Sequence, residues 1–282
     1  MINRCIIGAV ALVTALGAAT ASGFAHDEAK YPDLKGSWMR ADRGQATTST
    51  TTSTPWDPTK PPGRGQQAPL TPEYQALYET ALARQAAGVN LTSCLPPGMP
   101  RSMIVPEPME IIVMPDTTYI MLTYMSEFRR IYTDGRKFAD DIEPAFSGFS
   151  IGKWEDTDND GRFDTLVVET RGLKGPRSFD DSGLPLHKDN ETVIKERIYL
   201  DKSDPNLLHD EITTVDHALT RPWTVTRSYR RDRAAEWTEH LCAENNQYVT
   251  LGDEVYSIDD GFLSPTRKDQ PPPDLRYFTP SR

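Results

Sequence analysis

Thr192-Val193-Ile194-Lys195-Glu196-Arg197-Ile198-Tyr199-Leu200 is the stretch whose reading decides the fold. Successive side chains of a strand point to opposite faces. Thr192, Ile194, Glu196, Ile198 and Leu200 therefore share one face, and that face is apolar except for Glu196. The next alternating stretch, Leu207–Asp216, follows after the turn-forming Ser203-Asp204-Pro205-Asn206. Two half-buried strands joined by a short turn point to an antiparallel sheet.

The same pattern recurs on both sides. Strand candidates are Met109–Met114, Tyr119–Ser126, Phe128–Thr133, Phe149–Glu155, Thr165–Arg171, Trp223–Arg231 and Trp237–Cys242, with one more at Trp38. Their joints carry Pro115-Asp116, Asp134-Gly135, Asp160-Gly161 and Arg221-Pro222. Many strands on mostly short connections predict a mainly β protein, an antiparallel β-barrel or strongly curled sheet. Lys35-Gly36-Ser37-Trp38 resembles the G-x-W that opens the first strand of lipocalin-like (calycin-like) barrels. One flanking helix is expected over 71–87. Thr71 caps it, Pro72 suits its first turn, Tyr74, Leu77, Tyr78, Ala81 and Leu82 form one apolar face, and Gly88 stops it.

The ends of the chain differ in character. Met1–Arg4 carries one positive charge, Cys5–Ala19 is apolar or small, and small-x-small sites end at Ala21 and Ala25. This is the pattern of a secretory signal over residues 1–25, too short for a comfortable membrane span. The expected location is periplasmic or secreted, with no membrane insertion after cleavage. Residues 26–70 hold the Trp38 strand and a Pro/Thr-rich extended segment, 71–263 the helix and a single barrel domain, and 264–282 a Pro-rich tail. With 31 basic against 41 acidic residues, the net charge of −10 argues against nucleic acid and anionic membrane as partners. Export leaves Cys94 and Cys242 as an even pair, for which a disulfide is the default in an oxidising compartment.

Several segments together resemble a family of exported bacterial β-rich proteins. They are Cys94-Leu95-Pro96-Pro97-Gly98-Met99-Pro100, Tyr132-Thr133-Asp134-Gly135-Arg136, Gly152-Lys153-Trp154-Glu155, Asp164–Thr170, Glu196-Arg197, Arg221-Pro222-Trp223 and Cys242–Asn246. Members of that family run directly from a Trp-Glu pair into Gly-Asp-Thr-Leu, whereas here Asp156–Phe163 is inserted. The resemblance implies export and a β-rich fold, and carries no reaction.

Candidate site residues come from charges on apolar strand faces. Glu196 sits among isoleucines, Arg227 shares a face with Trp223, Val225 and Tyr229, and Arg130 one with Phe128 and Tyr132. Buried charges need partners, so these groups are expected to meet inside the barrel, with Glu196 and Arg227 within reach of each other or of one shared ligand. Glu196, His187, Arg227 and Tyr229 are the acid–base candidates, and Arg130, Tyr132 and Trp223 the substrate-binding ones. His209 falls on the solvated face with Glu211 and Thr213. No organic cofactor motif or catalytic zinc spacing is present. Asp156, Asp158, Asp160 and Asp164 match the start of a calcium loop, although position twelve is Val167 rather than a bidentate Glu. Three functions stay open: a cofactor-independent lyase, hydratase or isomerase acting on a small amphipathic molecule, a non-catalytic binder of such a ligand, and a structural envelope protein with a filled core.

Overall fold

Strand pairing runs round the molecule in chain order and closes on itself. The computed structural model describes residues 27–41, 68–86, 96–105, 107–174, 189–234, 236–237, 248–251 and 254–257. Nine strands form one closed ring: β1 (Ser37–Arg40), β2 (Met109–Val113), β3 (Thr117–Leu122), β4 (Phe128–Tyr132), β5 (Phe149–Glu155), β6 (Thr165–Arg171), β7 (Val193–Leu200), β8 (Leu207–Val215) and β9 (Trp223–Asp232). β1 closes the ring by pairing antiparallel with both β2 and β9.

An odd ring of sequential neighbours cannot be antiparallel throughout, because strand direction can alternate evenly only in an even ring. At least one adjacent pair must be parallel, and here it is β4 with β5. This corrects the wholly antiparallel expectation. A parallel pair needs a crossover of a dozen or more residues, which segment 133–148 supplies. The pairing is short, only Ile131 with Ser150 and Tyr132 with Ile151. By contrast β7 and β8 pair along their length from Val193–Val215 to Leu200–Leu208.

Alternation places the core. Inward residues include Ile120 and Leu122 of β3, Leu166 and Val168 of β6, Ile194 and Ile198 of β7, Leu208 and Ile212 of β8, and Trp223 and Val225 of β9, all buried. Gly152 on β5 is part of the fit, since a Cβ there would lie 2.7 Å from Ile131 Cγ2. The inaccessible Trp38 donates its indole N–H to the Leu34 carbonyl at 3.0 Å. The Arg231 guanidinium lies 4.5 Å from the Trp38 ring and also reaches the Asp33 and Lys35 carbonyls.

The helix, α1 (Pro72–Ala86), is the one α-helix among the described residues. Thr71 Oγ1 accepts from the Tyr74 N–H at 3.4 Å, so Thr71 caps it as its position suggests. Its start is tied to the β8–β9 connection by Thr71 N–H to the Ala218 carbonyl and Thr220 N–H to the Pro69 carbonyl. Tyr74 and Tyr78 are buried, but Leu77 is 48% exposed, so the apolar face is narrower than its spacing implies. β3 also ends earlier than expected, at Leu122, where Met125 and Ser126 turn the chain with positive φ.

Leu241–Arg282 forms a second, separate unit. It holds an antiparallel hairpin, β10 (Tyr248–Leu251) and β11 (Glu254–Ser257), which the alternation reading did not anticipate. Residues 1–26, Cys94, His187 and Cys242 lie outside the described residues, as does most of the expected Trp237–Cys242 strand. No described helix is long and apolar enough to cross a membrane.

Candidate functional site

Glu196 points inward from the middle of β7, and its partner is Arg129 rather than Arg227. Arg129 Nη1 donates to Glu196 Oε1 at 2.7 Å and Nη2 to Oε2 at 2.5 Å. The same guanidinium donates through Nε to Ser150 Oγ at 3.2 Å and through Nη2 to Thr170 Oγ1 at 2.9 Å. The two hydroxyls lie 2.8 Å apart. The side chains of Arg129 and Glu196 are 2% and 0% accessible. Four strands, β4, β5, β6 and β7, each supply one member of this network. Such a two-pronged pair with its other donors satisfied is the arrangement that makes a buried charge tolerable.

Arg130 is therefore a correction. β4 turns Arg129 and Ile131 inward, while Phe128 and Arg130 face solvent and Tyr132 is half-buried on their side. The aromatic neighbours that suggested an inward Arg130 belong to the outer surface. There Tyr132 stacks on Phe149 with ring centroids 5.1 Å apart, and Arg130 lies 5.4 Å from the Tyr119 ring.

Arg227 and Tyr229 do face the interior, as does Trp223. Across from Arg227 in the β8–β9 register stands Asp210, fully buried and on one face with Leu208 and Ile212. Among the described residues, neither Asp210 carboxyl oxygen has a hydrogen-bond partner. Burial, and then the nearby Glu196 charge, push its carboxyl well above the ordinary aspartate range. Its protonated form is thus favoured, with Arg227 across from it and Glu196 fixed in the same interior. The Tyr229 hydroxyl donates to the Met103 carbonyl, and burial pushes its pKa well above that of a free phenol. Its proton is committed to that bond, so Tyr229 is unsuited to act as a base.

The sequence reading missed Arg129 and Asp210. The signal for Asp210 was present: Leu208-x-Asp210-x-Ile212 has the parity of Ile194-x-Glu196-x-Ile198. Ser150 and Thr170 carry no such signal, since hydroxyl residues suit either face. His209 lies on the outer face of β8 as expected, with Nδ1 3.0 Å from Ser228 Oγ and Nε2 3.2 Å from Asp201 Oδ2.

The Asp-rich loop between β5 and β6 closes on itself. Asp156 accepts from the Asp160 and Gly161 N–H groups, and Asp164 Oδ2 accepts from the Thr157 N–H and hydroxyl. Lys202 Nζ lies 3.4 Å from Asp158 Oδ2. Asp156, Asp158 and Asp164 bring carboxylate oxygens within 4.8 Å of one another and could hold a divalent cation; Asp160 is not in that group. Its Oδ1 instead accepts from the Arg162 N–H.

The ring and its buried polar network define a mainly β barrel with charged groups inside. No protein-family model matches the chain, and no curated protein is significantly similar to it.

Proposed function

We propose that the barrel interior is a small-molecule site centred on Asp210 and Arg227, in an exported protein that works without an organic cofactor. One observation carries this reading: a fully buried carboxyl group whose two oxygens have no hydrogen-bond partner among the described residues. Leaving such a group unsatisfied costs about 1–3 kcal/mol, a cost that a ligand oxygen or N–H would remove. A neutral acid can donate its proton to an oxygen that gains negative charge and recover it afterwards. That chemistry suits a lyase, hydratase or isomerase acting on a small amphipathic substrate. With both oxygens held by Arg129, Glu196 positions the site and supplies a fixed negative charge, while Asp210 takes the acid role. His187 keeps its place as a candidate general base.

A specific observation favours a second reading, a structural barrel with a filled core. Trp38, Ile120, Ile194, Leu208, Ile212 and Val225 are inaccessible to solvent. Replacing Asp210 with Leu separates the two. In the first reading, a panel of small amphipathic acids and alcohols includes one that raises the melting temperature of the wild type but not of the variant. In the second, none acts on either protein, and the variant is simply as stable or more so.

The finer lipocalin-like reading rests on Gly36-Ser37-Trp38 at the start of β1. The nine-stranded ring and the parallel β4–β5 pair depart from the eight-stranded up-and-down pattern of that class. Export is tested by sequencing the N-terminus of the protein recovered from the periplasm or medium. It should begin at Ser22 or His26.

A further inference from the structure

We propose that a cleft on the outer face of the barrel, beside the β4–β5 seam, binds a small aromatic carboxylate, with Arg130 taking the carboxylate and Phe128 and Phe149 the ring. The cleft exists because the parallel seam is short. β4 and β5 pair only at Ile131–Ser150 and Tyr132–Ile151, and before those pairs Phe128–Arg130 and Ser147–Phe149 flank an opening of about 190 Å³. A cavity of about 150 Å³ is enough to hold benzene.

The chemistry of the rim selects the ligand. Phe128 is 61% exposed, and Phe149 presents a ring already stacked with Tyr132. On the same surface, Arg136 and Arg171 are each tied to a carboxylate, Asp134 and Glu169. Arg130 has no carboxylate within ion-pair distance among the described residues, and its contacts are the Tyr119 and Tyr132 side chains. An exposed guanidinium beside aromatic rings suits a flat anion, to which it can offer two parallel N–H donors.

One group opposes an anion there. Glu127 accepts from the Ser147 hydroxyl on the cleft wall, and its other oxygen is buried with no hydrogen-bond partner among the described residues. Burial raises its pKa, which weakens the repulsion. The opposition supplies a discriminating variant. Glu127→Gln should tighten binding, whereas a purely apolar cleft would not respond.

The test is an NMR titration of the purified protein with benzoate and with its neutral analogue benzamide. Benzoate is expected to shift amide signals of residues 128–132 and 147–150 and to bind more tightly than benzamide. Arg130→Gln, an exposed substitution that should leave the fold intact, is expected to weaken benzoate at least tenfold. Asp210→Leu should leave it unchanged, which keeps this site distinguishable from the interior one. No shift at these amides under saturating benzoate would overturn the proposal. So would equal binding of benzoate and benzamide with no effect of Arg130→Gln.

Discussion

Arg129 of β4 and Glu196 of β7 meet in the barrel interior through two parallel N–H···O bonds of 2.7 and 2.5 Å, both side chains essentially out of reach of water. Two strands lie between them in the ring, so the pair links strands a third of the way round the wall from each other. Ser150 and Thr170, on those two intervening strands, bind the remaining edge of the guanidinium.

Breaking this pair from one side should be costly. Glu196→Gln leaves a buried guanidinium without its counter-charge and is expected to lower stability by about 3–5 kcal/mol, as is Arg129→Gln. Replacing both with leucine should be far milder than either single change. Urea unfolding of the four proteins checks this, and the losses should be insensitive to salt, because a buried pair is poorly screened.

Asp210 should make stability fall with rising pH. Its folded-state pKa lies above the unfolded value of about 3.9. Between those two values the native state binds more protons than the unfolded chain, so stability declines as pH rises through the window. Below about pH 4 the contribution is complete; above the folded value it has been lost. Asp210→Asn keeps the shape and cannot ionise. The wild-type stability minus that of this variant, measured from pH 4 to 8, should slope downward, and a flat difference would contradict the assignment of a neutral acid.

Calcium should act on the β5–β6 loop. Three carboxylates converge there, with Lys202 near Asp158. At a calcium concentration about five times its dissociation constant the gain is about 1 kcal/mol, a rise of about 2–4 °C in melting temperature. EDTA should reverse it and Asp158→Ala remove it. Melting curves that ignore calcium would leave the loop as a turn closed by its own hydrogen bonds.

Cys94 and Cys242 are expected to be joined in the exported protein. Chain entropy sets an upper figure of about 5 kcal/mol for so long a loop. Peptide mapping without reductant should recover the two as one linked peptide, and recovery as two free thiols would refute the pairing.

The sequence by itself determined the mainly β class, most of the barrel strands, the capped helix and the inward direction of Glu196 and Arg227. All of these follow from short-range rules: period-two alternation, turn residues and the chemistry of a helix start. Long strands were the most legible, because five alternating positions in 192–200 leave no doubt about which face is apolar. Five-residue β4 was misjudged because both of its faces mix arginine with large apolar groups, so parity had nothing to decide it. Only closure of the ring decided that Arg129 turns inward, since Glu196, Ser150 and Thr170 reach it from strands distant in sequence. Ring closure also required a parallel seam, because nine is odd, and through that seam it opened the outer cleft. Partner choice and strand count are properties of the whole sheet, and no local pattern of residues contains them.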